Sequence, residues 1–577
     1  MNKFKKTDKN LTGAHIMAMS LIAEGVTDIF GYPGGAIIPF YDVLTDFPEI
    51  RHILVRHEQA AALAAIGYSR VTGHKKIGVC LATSGPGATN LVTGIYDAYM
   101  DSMPIIAITG QVPTFMIGTD AFQEADMIGI TQPITKNSYL INDAEDIPKI
   151  IKEAFHIAKT GRPGPVLIDF PKDVQNQIVE KFEYPDLVDI PGYKPNLQGN
   201  KKMIKEAAQW IKTSKKPVII AGHGVLISNA MLELMEFVNK TNIPVITTLH
   251  GLGAFPENHK YALGMLGMHG FVHSNYAVQE ADLIIGIGTR FDDRIIGKAD
   301  NFAPNAHIIH IDIDPAEIGK NVHCELPIVG DARNILIELN QIIEKPQITD
   351  WHKKINEWRK KYPLPSQHRL KDSSGRDGKN SISMRAVIAE LYNQTKGDIV
   401  LATDVGQHQM IVAQQFQFKN PNQLLTSGGS GTMGYSIPAG MGAKIAEPKK
   451  EVWVIVGDGS VMMNIQELVT LMQDNIPIKI AILNNSYLGM VRQWQELFFD
   501  KNYSHTALYN PDFKALAEAC GMKAYRAKTH KEMIECIKKM RQEKGPVLCE
   551  FIVEKEENVY PMVPAGKSLS ETITGLE

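Results

Sequence analysis

The stretch EVWVIVGDGSVMMNIQELVTLMQDNIPIKIAILNN, residues 451–485, contains two short apolar runs separated by a helix-like pattern. EVWVIV predicts a strand, GDGS a tight turn, MNIQELVTLMQDN an amphipathic helix, and IKIAIL a second strand. Such a βαβ unit has a right-handed crossover and parallel strands. Because similar alternation recurs along almost the whole chain, the sequence predicts an α/β protein with three consecutive parallel-sheet domains.

Asp458 and Asn485 each follow a strand of this unit. The carboxyl ends of parallel strands share one edge of a sheet, where α/β proteins bind ligands, so these two side chains are predicted to be neighbours. Carboxylate and amide oxygens suit Mg²⁺, which also binds phosphate oxygens and water. Two ordinary turns would explain GDG alone, but the paired asparagines after the second strand favour a metal site.

The composition is that of a soluble globular protein and argues against several classes. A length of 577 residues suffices for about three or four domains. The formal net charge of −3 argues against nucleic-acid binding. Five cysteines without Cys-x-x-Cys spacing suit a reducing compartment better than a disulfide framework or zinc site. The charged start MNKFKKTDKN predicts no secretory signal, and no membrane helix is predicted, so we expect a cytoplasmic protein.

Shifts in composition divide the chain into blocks. An N-terminal domain is predicted over 1–185, a central domain over 200–345, and a C-terminal domain over 381–577. The stretch 346–380 is polar, lysine-rich and interrupted by proline, so it is predicted to be a linker with some helix.

Glu58 stands where a predicted strand, HILV, meets an alanine-rich helix. An acid at a helix N-terminus stabilises the helix dipole by roughly 0.3–1 kcal/mol, which is the structural alternative to a catalytic role. TSGPGATN (83–90) also follows a strand and opens a helix, and its glycines permit close approach of a ligand. Two further glycine-containing turns are predicted to contact a ligand in the same way: TDVGQHQM (403–410) and SGGSGTMGYSIPAG (427–440). The similar stretch SSGRDGKN (373–380) follows no predicted strand.

The central block has the character of a nucleotide site. Gly222-His223-Gly224 begins like a dinucleotide fingerprint, but Ile227 occupies the third glycine position, so this motif alone is weak. Asp312 and Asp331, at predicted strand ends, can accept hydrogen bonds from ribose hydroxyls.

Two arginines of the central block, Arg290 and Arg294, can pair with phosphate or carboxylate groups. Ordinary surface salt bridges with Asp292 or Asp293 are the alternative.

Several stretches together carry a family resemblance. GDGSVMMNIQEL followed by LNN resembles the diphosphate-binding motif of thiamin diphosphate enzymes. The wider set resembles the catalytic subunit of the acetohydroxyacid synthase (acetolactate synthase) family over nearly the whole chain: GYPGGAIIPFYD, RHEQAA, TSGPGATNLVTGI, GTDAFQEAD, GRPGPVLIDFPKDV, GTRFDDR, GQHQM, LGMVRQWQELF and PMVPAGKSLSETI. Ser430 and Ser436 stand where relatives often have Leu and Gly, which leaves only local packing open.

The resemblance implies a pyrimidine-binding N-terminal domain, a central FAD-binding domain and a C-terminal domain that binds diphosphate and Mg²⁺. It implies decarboxylation of pyruvate on thiamin diphosphate and transfer of the hydroxyethyl group to pyruvate or 2-ketobutyrate, in valine, leucine and isoleucine biosynthesis. A homodimer or dimer of dimers, and a small regulatory subunit that binds valine, are implied as partners.

Three alternatives remain open at this point. A pyruvate oxidase-type flavin oxidoreductase would use both organic cofactors. A glyoxylate carboligase carries valine where this chain has Glu58. A degenerate flavin-binding scaffold would be expected to have lost Asp458, Asn485 or Glu58, all of which are present.

The resemblance also assigns residue roles. Glu58 would bond the cofactor's aminopyrimidine, and an apolar setting is expected to raise its pKa. Catalytic roles fall to Glu58, Gln123, Lys172 and Met433, although a core methionine is the alternative for Met433. The metal ligands would be Asp458, Asn485 and the carbonyl oxygen of Tyr487.

The remaining assignments concern ligands. Thiamin diphosphate would contact Val405, Gly406, Gln407, His408, Met433, Gly457, Gly459 and Ser460. FAD would contact Arg162, Gly222, Gly224, Thr248, Leu249, Met268, His269, Gly288, Arg290, Asp292, Arg294, Asp312, Ile313 and Asp331. Substrate would contact Arg294, Met490 and Trp494; a core or interface aromatic is the alternative for Trp494. PMVPAGKSLSETI (561–573) would form a mobile C-terminal lid.

Overall fold

A computed structural model describes residues 11–363 and 381–575 of the chain. It contains three six-stranded sheets, in which every strand pair is parallel. The predicted α/β class with three parallel-sheet domains is therefore confirmed. MNKFKKTDKN, SSGRDGKN and the second half of the predicted linker (364–380) lie outside the described residues.

The first sheet has the strand order β3-β2-β4-β5-β7-β6, and a two-stranded antiparallel pair, β1 with β8, accompanies it. Its central strands β4, β5 and β7 are buried along their whole length, because parallel strands inside such a sheet are covered on both faces. The strands are β1 (Leu11–Thr12), β2 (Asp28–Gly31), β3 (Arg51–Leu54), β4 (Gly78–Ala82), β5 (Ile105–Gln111), β6 (Asn137–Leu140), β7 (Val166–Pro171) and β8 (Ile178–Val179). The helices are α1 (Gly13–Ala23), α2 (Ile38–Leu44), α3 (Glu58–Val71), α4 (Pro86–Asn90), α5 (Val92–Met100), α6 (Met127–Thr131), α7 (Ile147–Lys159) and α8 (Lys172–Asn176).

The second sheet has the order β11-β10-β9-β12-β13-β14. Its strands are β9 (Pro217–Ala221), β10 (Val245–Thr247), β11 (Ala262–Met265), β12 (Leu283–Ile287), β13 (His307–Asp312) and β14 (Leu326–Val329). The helices are α9 (Lys201–Thr213), α10 (His223–Ile227), α11 (Met231–Thr241), α12 (Val272–Gln279), α13 (Asp293–Ile296), α14 (Ala332–Ile342) and α15 (Thr349–Lys361), the last of which supplies the helix expected in the linker.

The third sheet has the order β16-β15-β17-β18-β20-β19. Its strands are β15 (Val400–Thr403), β16 (Leu424–Leu425), β17 (Val452–Gly457), β18 (Lys479–Asn484), β19 (Lys523–Ala527) and β20 (Val547–Ile552). The helices are α16 (Met384–Thr395), α17 (Gln407–Gln415), α18 (Ser436–Ala446), α19 (Asp458–Val461), α20 (Glu467–Gln473), α21 (Gly489–Phe498), α22 (Phe513–Ala519) and α23 (His530–Gln542).

The chain divides into two compact units that do not follow its linear order. Unit 1 contains the described residues of Met1–Lys194 together with Gly429–Lys450 and Met463–Ile478. Unit 2 contains the described residues of Pro195–Gly428, Glu451–Met462 and Lys479–Glu577. The first sheet therefore belongs to unit 1 and the other two sheets belong to unit 2, while α18 and α20 belong to unit 1.

Within unit 1, helices α3 and α18 pack with almost no side chain between their backbones. A Cβ added to Gly67 would lie 2.0 Å from the carbonyl oxygen of Ala439, and one added to Gly442 would lie 1.9 Å from the carbonyl oxygen of Ala64. Both distances are far below van der Waals contact, so only glycine fits at these two positions.

The helix predicted over 463–475 is shorter in the structure. The predicted GDGS turn is instead divided: Gly457 ends β17, and the three residues after it begin the helical turn α19. The longer helix α20 begins only at Glu467. The side-chain amide of Asn464 donates to the carbonyl oxygen of Gly434 at 2.7 Å, which fixes an irregular turn ahead of α20. No helix in 11–363 or 381–575 is both long and apolar enough to cross a bilayer.

Candidate active site

Glu58 is the first residue of α3 in unit 1, directly after the extended residue His57. Its side chain is half-buried, and Oε2 accepts a hydrogen bond from the Asn90 amide nitrogen at 2.9 Å. A Cβ at Gly87 would lie 3.2 Å from Glu58 Oε1. The predicted junction of strand and helix is therefore confirmed, and the TSGPGATN turn passes directly beside this carboxyl group.

Gln123 lies on the other side of the same turn. Its backbone has a positive φ of 61°, and a Cβ at Gly85 would lie 2.8–2.9 Å from Gln123 backbone and Cβ atoms. Gly85 itself has φ +59°, a conformation that glycine adopts at little cost. The structure thus brings Glu58 and Gln123 to one glycine-rich turn.

Two buried residues that the sequence did not single out hold the Gln123 loop. Gln111 donates from Nε2 both to the carbonyl oxygen of Ala125, at 2.8 Å, and to Asp169 Oδ2, at 2.9 Å. Asp169 is 1% exposed, and burial raises its pKa to about 7. Lys172 follows β7 at the start of α8, and its side chain is exposed.

Met433 occupies a turn of unit 1 and is half-buried. On one side of it, Thr432 Oγ1 donates to Asp97 Oδ1 at 2.7 Å, and on the other, Gly434 accepts from Asn464. A half-buried methionine on a fixed turn differs from the ordinary core methionine that the sequence left as the alternative.

In unit 2, Asp458 and Asn485 lie beside each other, as the βαβ pattern predicts. Strands β17 and β18 pair in parallel with Gly457 opposite Leu483. Asp458 is 1% exposed and Asn485 is 3% exposed. Burial raises the pKa of Asp458 to about 6, and hydrogen bonds from the backbone N–H groups of Asn485 and Ser486 partly oppose that rise.

Asn510 is a further polar residue of this cluster. Its side-chain nitrogen donates to Asp458 Oδ2 at 2.7 Å and to Asn484 Oδ1 at 3.2 Å. It lies in an irregular segment ahead of α22, without a recognisable motif, so no sequence pattern would have found it.

The donor set at these strand ends fits a hard divalent cation. Among residues 11–363 and 381–575, no group of three or more His, Cys, Asp or Glu side chains could hold a metal ion. A cation here would depend on Asp458 together with amide and carbonyl oxygens, and such oxygen ligands suit Mg²⁺ rather than zinc. Ser486, with φ +61°, turns the chain between Asn485 and Tyr487.

Four of the residues predicted to contact thiamin diphosphate, 405–408, lie where β15 passes into α17. Gly406, with φ +142°, precedes the helix, and Ser460 Oγ donates to the Val405 carbonyl oxygen at 3.3 Å. The ring of His408 packs so closely that a Cβ at Gly406 or at Gly457 would lie 3.2 or 3.0 Å from its Cε1.

His408 also carries an unsatisfied polar atom. Burial lowers its pKa to about 4, so the ring is neutral at pH 7. Its Nε2 is buried and has no hydrogen-bond partner among the described residues. Because buried polar groups are almost always hydrogen-bonded, this nitrogen fits a site completed by a bound anion such as phosphate.

Met490 and Trp494 lie one turn apart on α21 in unit 2, as their spacing predicts. Met490 packs partly against the core under the third sheet. Trp494 is half-buried and meets the ring of Phe498 edge to face at 5.4 Å. Gly459 lies within α19, next to Asp458.

The predicted FAD residues lie mainly at the carboxyl edge of the second sheet. Gly222, Thr248, Leu249, Gly288, Asp312, Ile313 and Asp331 all stand at, or within two residues of, the ends of β9, β10, β12, β13 and β14. Met268 and His269 follow β11, and burial lowers the pKa of His269 to about 4. Arg162 belongs to unit 1, where its Nε donates to Ser102 Oγ at 2.9 Å.

Several of these residues also have structural roles that the sequence did not reveal. A Cβ at Gly222 would lie 2.1 Å from the Gly288 carbonyl oxygen, and one at Gly224 would lie 2.6 Å from Gly288 Cα. The glycines are therefore required for backbone packing whether or not a ligand binds. Asp331 caps α14 by accepting from the Asn334 backbone N–H at 3.1 Å.

The two arginines make the ion pairs that the sequence offered as the alternative. Arg290 lies 3.9 Å from Asp292, and Arg294 lies 3.6 Å from Asp293. Arg294 Nη1 also lies 3.6 Å from the sulfur of Met268. These ion pairs are partly exposed and therefore weak, so each arginine could readily exchange its aspartate partner for a bound anion.

Three family models match the chain. They describe the N-terminal TPP-binding domain of thiamine pyrophosphate enzymes (residues 11–130), the central domain (204–339) and the C-terminal TPP-binding domain (404–551). Together they cover well over half of the chain.

Curated proteins that carry the name acetolactate synthase have sequences similar to this chain. The acetolactate synthase of Mycobacterium bovis is 49% identical over 576 residues, covering 98% of this chain and 91% of that protein. The acetolactate synthase large subunit of Corynebacterium glutamicum is 47% identical over 98% of this chain and 90% of its own length. The probable acetolactate synthase large subunit of Methanocaldococcus jannaschii is 49% identical over 98% of this chain and 95% of its own length.

Proposed function

The chain belongs to the acetolactate synthase large-subunit family of thiamine pyrophosphate enzymes, and on that premise we propose how its residues carry the reaction. It is an acetolactate synthase that uses thiamin diphosphate. The pyruvate oxidase-type alternative is not favoured, because the similar curated proteins carry the synthase name.

The proposed reaction joins two 2-ketoacids. The enzyme decarboxylates pyruvate and transfers the resulting hydroxyethyl group to pyruvate or 2-ketobutyrate, giving 2-acetolactate or 2-aceto-2-hydroxybutyrate for branched-chain amino-acid synthesis. When bound, thiamin diphosphate supplies the electron sink for the decarboxylation.

Glu58 is the proposed proton-exchanging residue, acting at a ring nitrogen of the cofactor's pyrimidine. The Asn90 hydrogen bond to Oε2 orients this carboxyl group, and the absence of a side chain at Gly87 keeps space open beside Oε1. Gln123 and Lys172 supply polar groups near the reacting atoms, and Met433 supports the cofactor from its fixed turn.

Asp458, Asn485 and the Tyr487 carbonyl oxygen would hold Mg²⁺ on the diphosphate. Gln407, His408 and the backbone of Val405, Gly406, Gly457, Gly459 and Ser460 would surround the phosphate oxygens. The observation that carries this proposal is the burial of Asp458 beside Asn485 at adjoining strand ends, with His408 against Gly457 and its Nε2 unpartnered among the described residues.

FAD is proposed to bind along the carboxyl edge of the second sheet, through the residues collected there, with Arg162, Arg290, Asp292 and Arg294 as further contacts. Arg294 would also bind the carboxylate of the second ketoacid, since a guanidinium fork matches that planar anion. Met490 and Trp494 would form the wall against which the acceptor's alkyl group packs.

Further parts of the proposal concern assembly. The names of two relatives include "large subunit", which supports a separate small regulatory subunit for this chain. We also propose that the protein is a homodimer or dimer of dimers and that it is cytoplasmic. The proposed domains span 1–185, 200–345 and 381–577, and the proposed mobile lid spans 561–573.

Product analysis tests the function directly. The purified protein would be supplied with thiamin diphosphate, Mg²⁺, FAD and pyruvate, with and without 2-ketobutyrate. We expect acetolactate from pyruvate alone and mainly acetohydroxybutyrate from the mixture. Acetate or acetaldehyde as the main product, or bleaching of the flavin by pyruvate at the turnover rate without air, would overturn the proposal.

A further inference from the structure

Gln493 is a residue of α21 that has no role in the function described above, although it is 0% exposed. Its carboxamide oxygen accepts from Gln407 Nε2 at 3.0 Å and from the Val559 backbone N–H at 2.8 Å. Its amide nitrogen donates to the Val559 carbonyl oxygen at 3.0 Å. One side chain therefore joins the start of α17, helix α21 and the segment 556–563, which we name the terminal strap.

Gln407 is held tightly at this junction. Its Nε2 also donates to the Glu557 carbonyl oxygen at 2.9 Å, so two bonds connect it to the strap, one direct and one through Gln493. A Cβ at Gly489 would lie 2.1 Å from Gln407 Oε1, and Asn485 Nδ2 lies 3.5 Å from the same oxygen. A displacement of the Gln407 side chain would therefore disturb its contacts with both α21 and the strap.

The far end of the strap contacts the proposed acceptor site. The Val563 N–H donates to the Met268 carbonyl oxygen at 2.7 Å, and the Met268 N–H donates to the Arg294 carbonyl oxygen at 2.8 Å. The Arg294 guanidinium also lies against the Met268 sulfur. The strap thus extends from Gln407, a proposed diphosphate contact, to the segment around Met268 and Arg294, which we name the Met268–Arg294 wall.

The other contacts between the strap and α21 are weaker. Arg492 pairs with Glu556 at 3.3 Å, but the Glu556 side chain is 75% exposed, and exposed ion pairs contribute little. Asn558 donates to Glu496 at 3.2 Å in a partly exposed position. The buried, reciprocal bonding of Gln493 with Val559 is the contact whose loss would leave polar groups unsatisfied in the interior.

We propose that Gln493 is a positioning residue that connects Gln407 to the terminal strap and thereby fixes the Met268–Arg294 wall for the second ketoacid. The inference rests on the proposed function, which gives Gln407 and Arg294 their ligands. Cofactor bound at Gln407 would restrict that side chain, and Gln493 would pass the restriction to the strap as a coupling free energy between the two sites.

Hydrogen–deuterium exchange of the full-length protein tests the coupling without relying on activity. In the wild type, thiamin diphosphate with Mg²⁺ is expected to slow exchange of the strap amides. In Gln493→Leu, which keeps the volume but removes the hydrogen bonds, we expect the cofactor to bind, as measured by calorimetry, without slowing strap exchange. Equal slowing in both proteins would overturn the inference.

Kinetics give a second readout. For Gln493→Leu we expect KM for 2-ketobutyrate as acceptor to rise about tenfold, the effect of roughly 1.4 kcal/mol, with pyruvate decarboxylation little changed. An equal fall in kcat for both steps, with KM unchanged, would indicate a merely structural role and would overturn the inference.

Two further variants complete the design. Gln493→Glu keeps the oxygen that accepts from Gln407 but cannot donate to Val559 when ionised. We therefore expect the cofactor to slow exchange of the strap amides less than in the wild type. Full slowing in Gln493→Glu would overturn the inference even if Gln493→Leu fails to fold. Gln394→Leu removes a matched amide, which joins Glu390 to the Ile534 carbonyl oxygen, and should leave both readouts unchanged.

The possible outcomes distinguish a failure of this inference from a failure of the proposed function on which it rests. A wild-type protein that neither binds thiamin diphosphate nor makes acetolactate would refute the proposed function. A wild-type protein that makes acetolactate but shows no cofactor-dependent protection of the strap would refute only the role of Gln493.

Discussion

The side-chain amide of Asn90 donates a 2.9 Å hydrogen bond to Oε2 of Glu58, which joins the end of α4 to the start of α3. Gly87, one turn before Asn90, lies close to the other carboxyl oxygen. Glu58 is therefore held by a hydrogen bond from a neighbouring helix, and within 11–363 and 381–575 no ion pair to it is found. A carboxyl held in this way keeps one oxygen for a ligand, and its chemistry can be tested by a change that preserves its shape.

Glu58→Gln should lower turnover by roughly 10²–10⁴, the usual contribution of a general acid or base, because an amide cannot exchange the proton. Acetolactate formation at saturating cofactor and pyruvate measures the loss. Glu145→Gln, at an exposed position of the same unit, is the control and should retain wild-type turnover. Near-normal turnover in Glu58→Gln would contradict the assignment.

Asn510→Ala should weaken Mg²⁺ binding by about 10–100-fold, the usual effect of losing a group that orients a metal ligand. The reason is the 2.7 Å hydrogen bond from Asn510 to Asp458. Mg²⁺ titrations of thiamin diphosphate binding provide the measurement. Asn502→Ala, in the same segment but without a side-chain contact to Asp458, should titrate like the wild type; identical curves for all three proteins would refute the role of Asn510.

The buried carboxyl group of Glu467 should make the free energy of unfolding depend on pH. It is 0% exposed, accepts bonds from the Arg56 N–H and the Thr470 hydroxyl, and burial raises its pKa to about 7. Its stabilising contribution is complete below about pH 4, where both folded and unfolded states are protonated, and is lost as pH rises towards 7, because the unfolded state ionises first.

The free energy of unfolding should fall by roughly 3 kcal/mol over that pH range from this group. Glu467→Gln, which keeps the acceptor for Arg56, should remove that part of the slope in denaturant titrations at pH 5 and pH 8. Glu49→Gln, at an exposed position, should retain it. An unchanged slope in Glu467→Gln would show that burial does not hold the proton there.

Trp494→Leu should reduce the preference for 2-ketobutyrate over pyruvate by about tenfold or more, because a smaller side chain packs less well against the longer alkyl group. The ratio of acetohydroxybutyrate to acetolactate from mixed substrates reports the change. Val491→Ala alters a half-exposed position of the same helix and should keep the ratio. If both variants keep it, Trp494 is an ordinary packing residue.

Gly67→Ala should destabilise unit 1 by about 1–3 kcal/mol or more, because its methyl group would overlap the Ala439 carbonyl oxygen. Thermal and denaturant unfolding provide the measurement. At Gly35 an added Cβ would have no atom of the described residues within 4 Å, so Gly35→Ala should change stability little. Equal stabilities of the two variants would mean that α3 and α18 separate at no cost.

Sequence patterns predicted those parts of the site that depend on strand order. The sequence predicts that Asp458 and Asn485 are neighbours because parallel strands end at one edge of a sheet, and it singles out Glu58 because a strand meets a helix there. Asn510, Gln111 and Gln493 gave no signal, since each acts through contacts with residues distant in the chain. The helix predicted over 463–475 is too long for the same reason: the side chain of Asn464 bonds to Gly434, 30 residues earlier in the chain, and local propensity does not reveal this contact.

The interleaving of the two units has a consequence for synthesis on the ribosome. Helix α3 lies near the start of the chain, yet its partner α18 and the helix α20 are translated only after the whole second sheet. A nascent chain that has just passed residue 194 therefore leaves the small-residue face of α3 without its partner helix α18. Such a face is a natural target for chaperones until residue 478 has emerged.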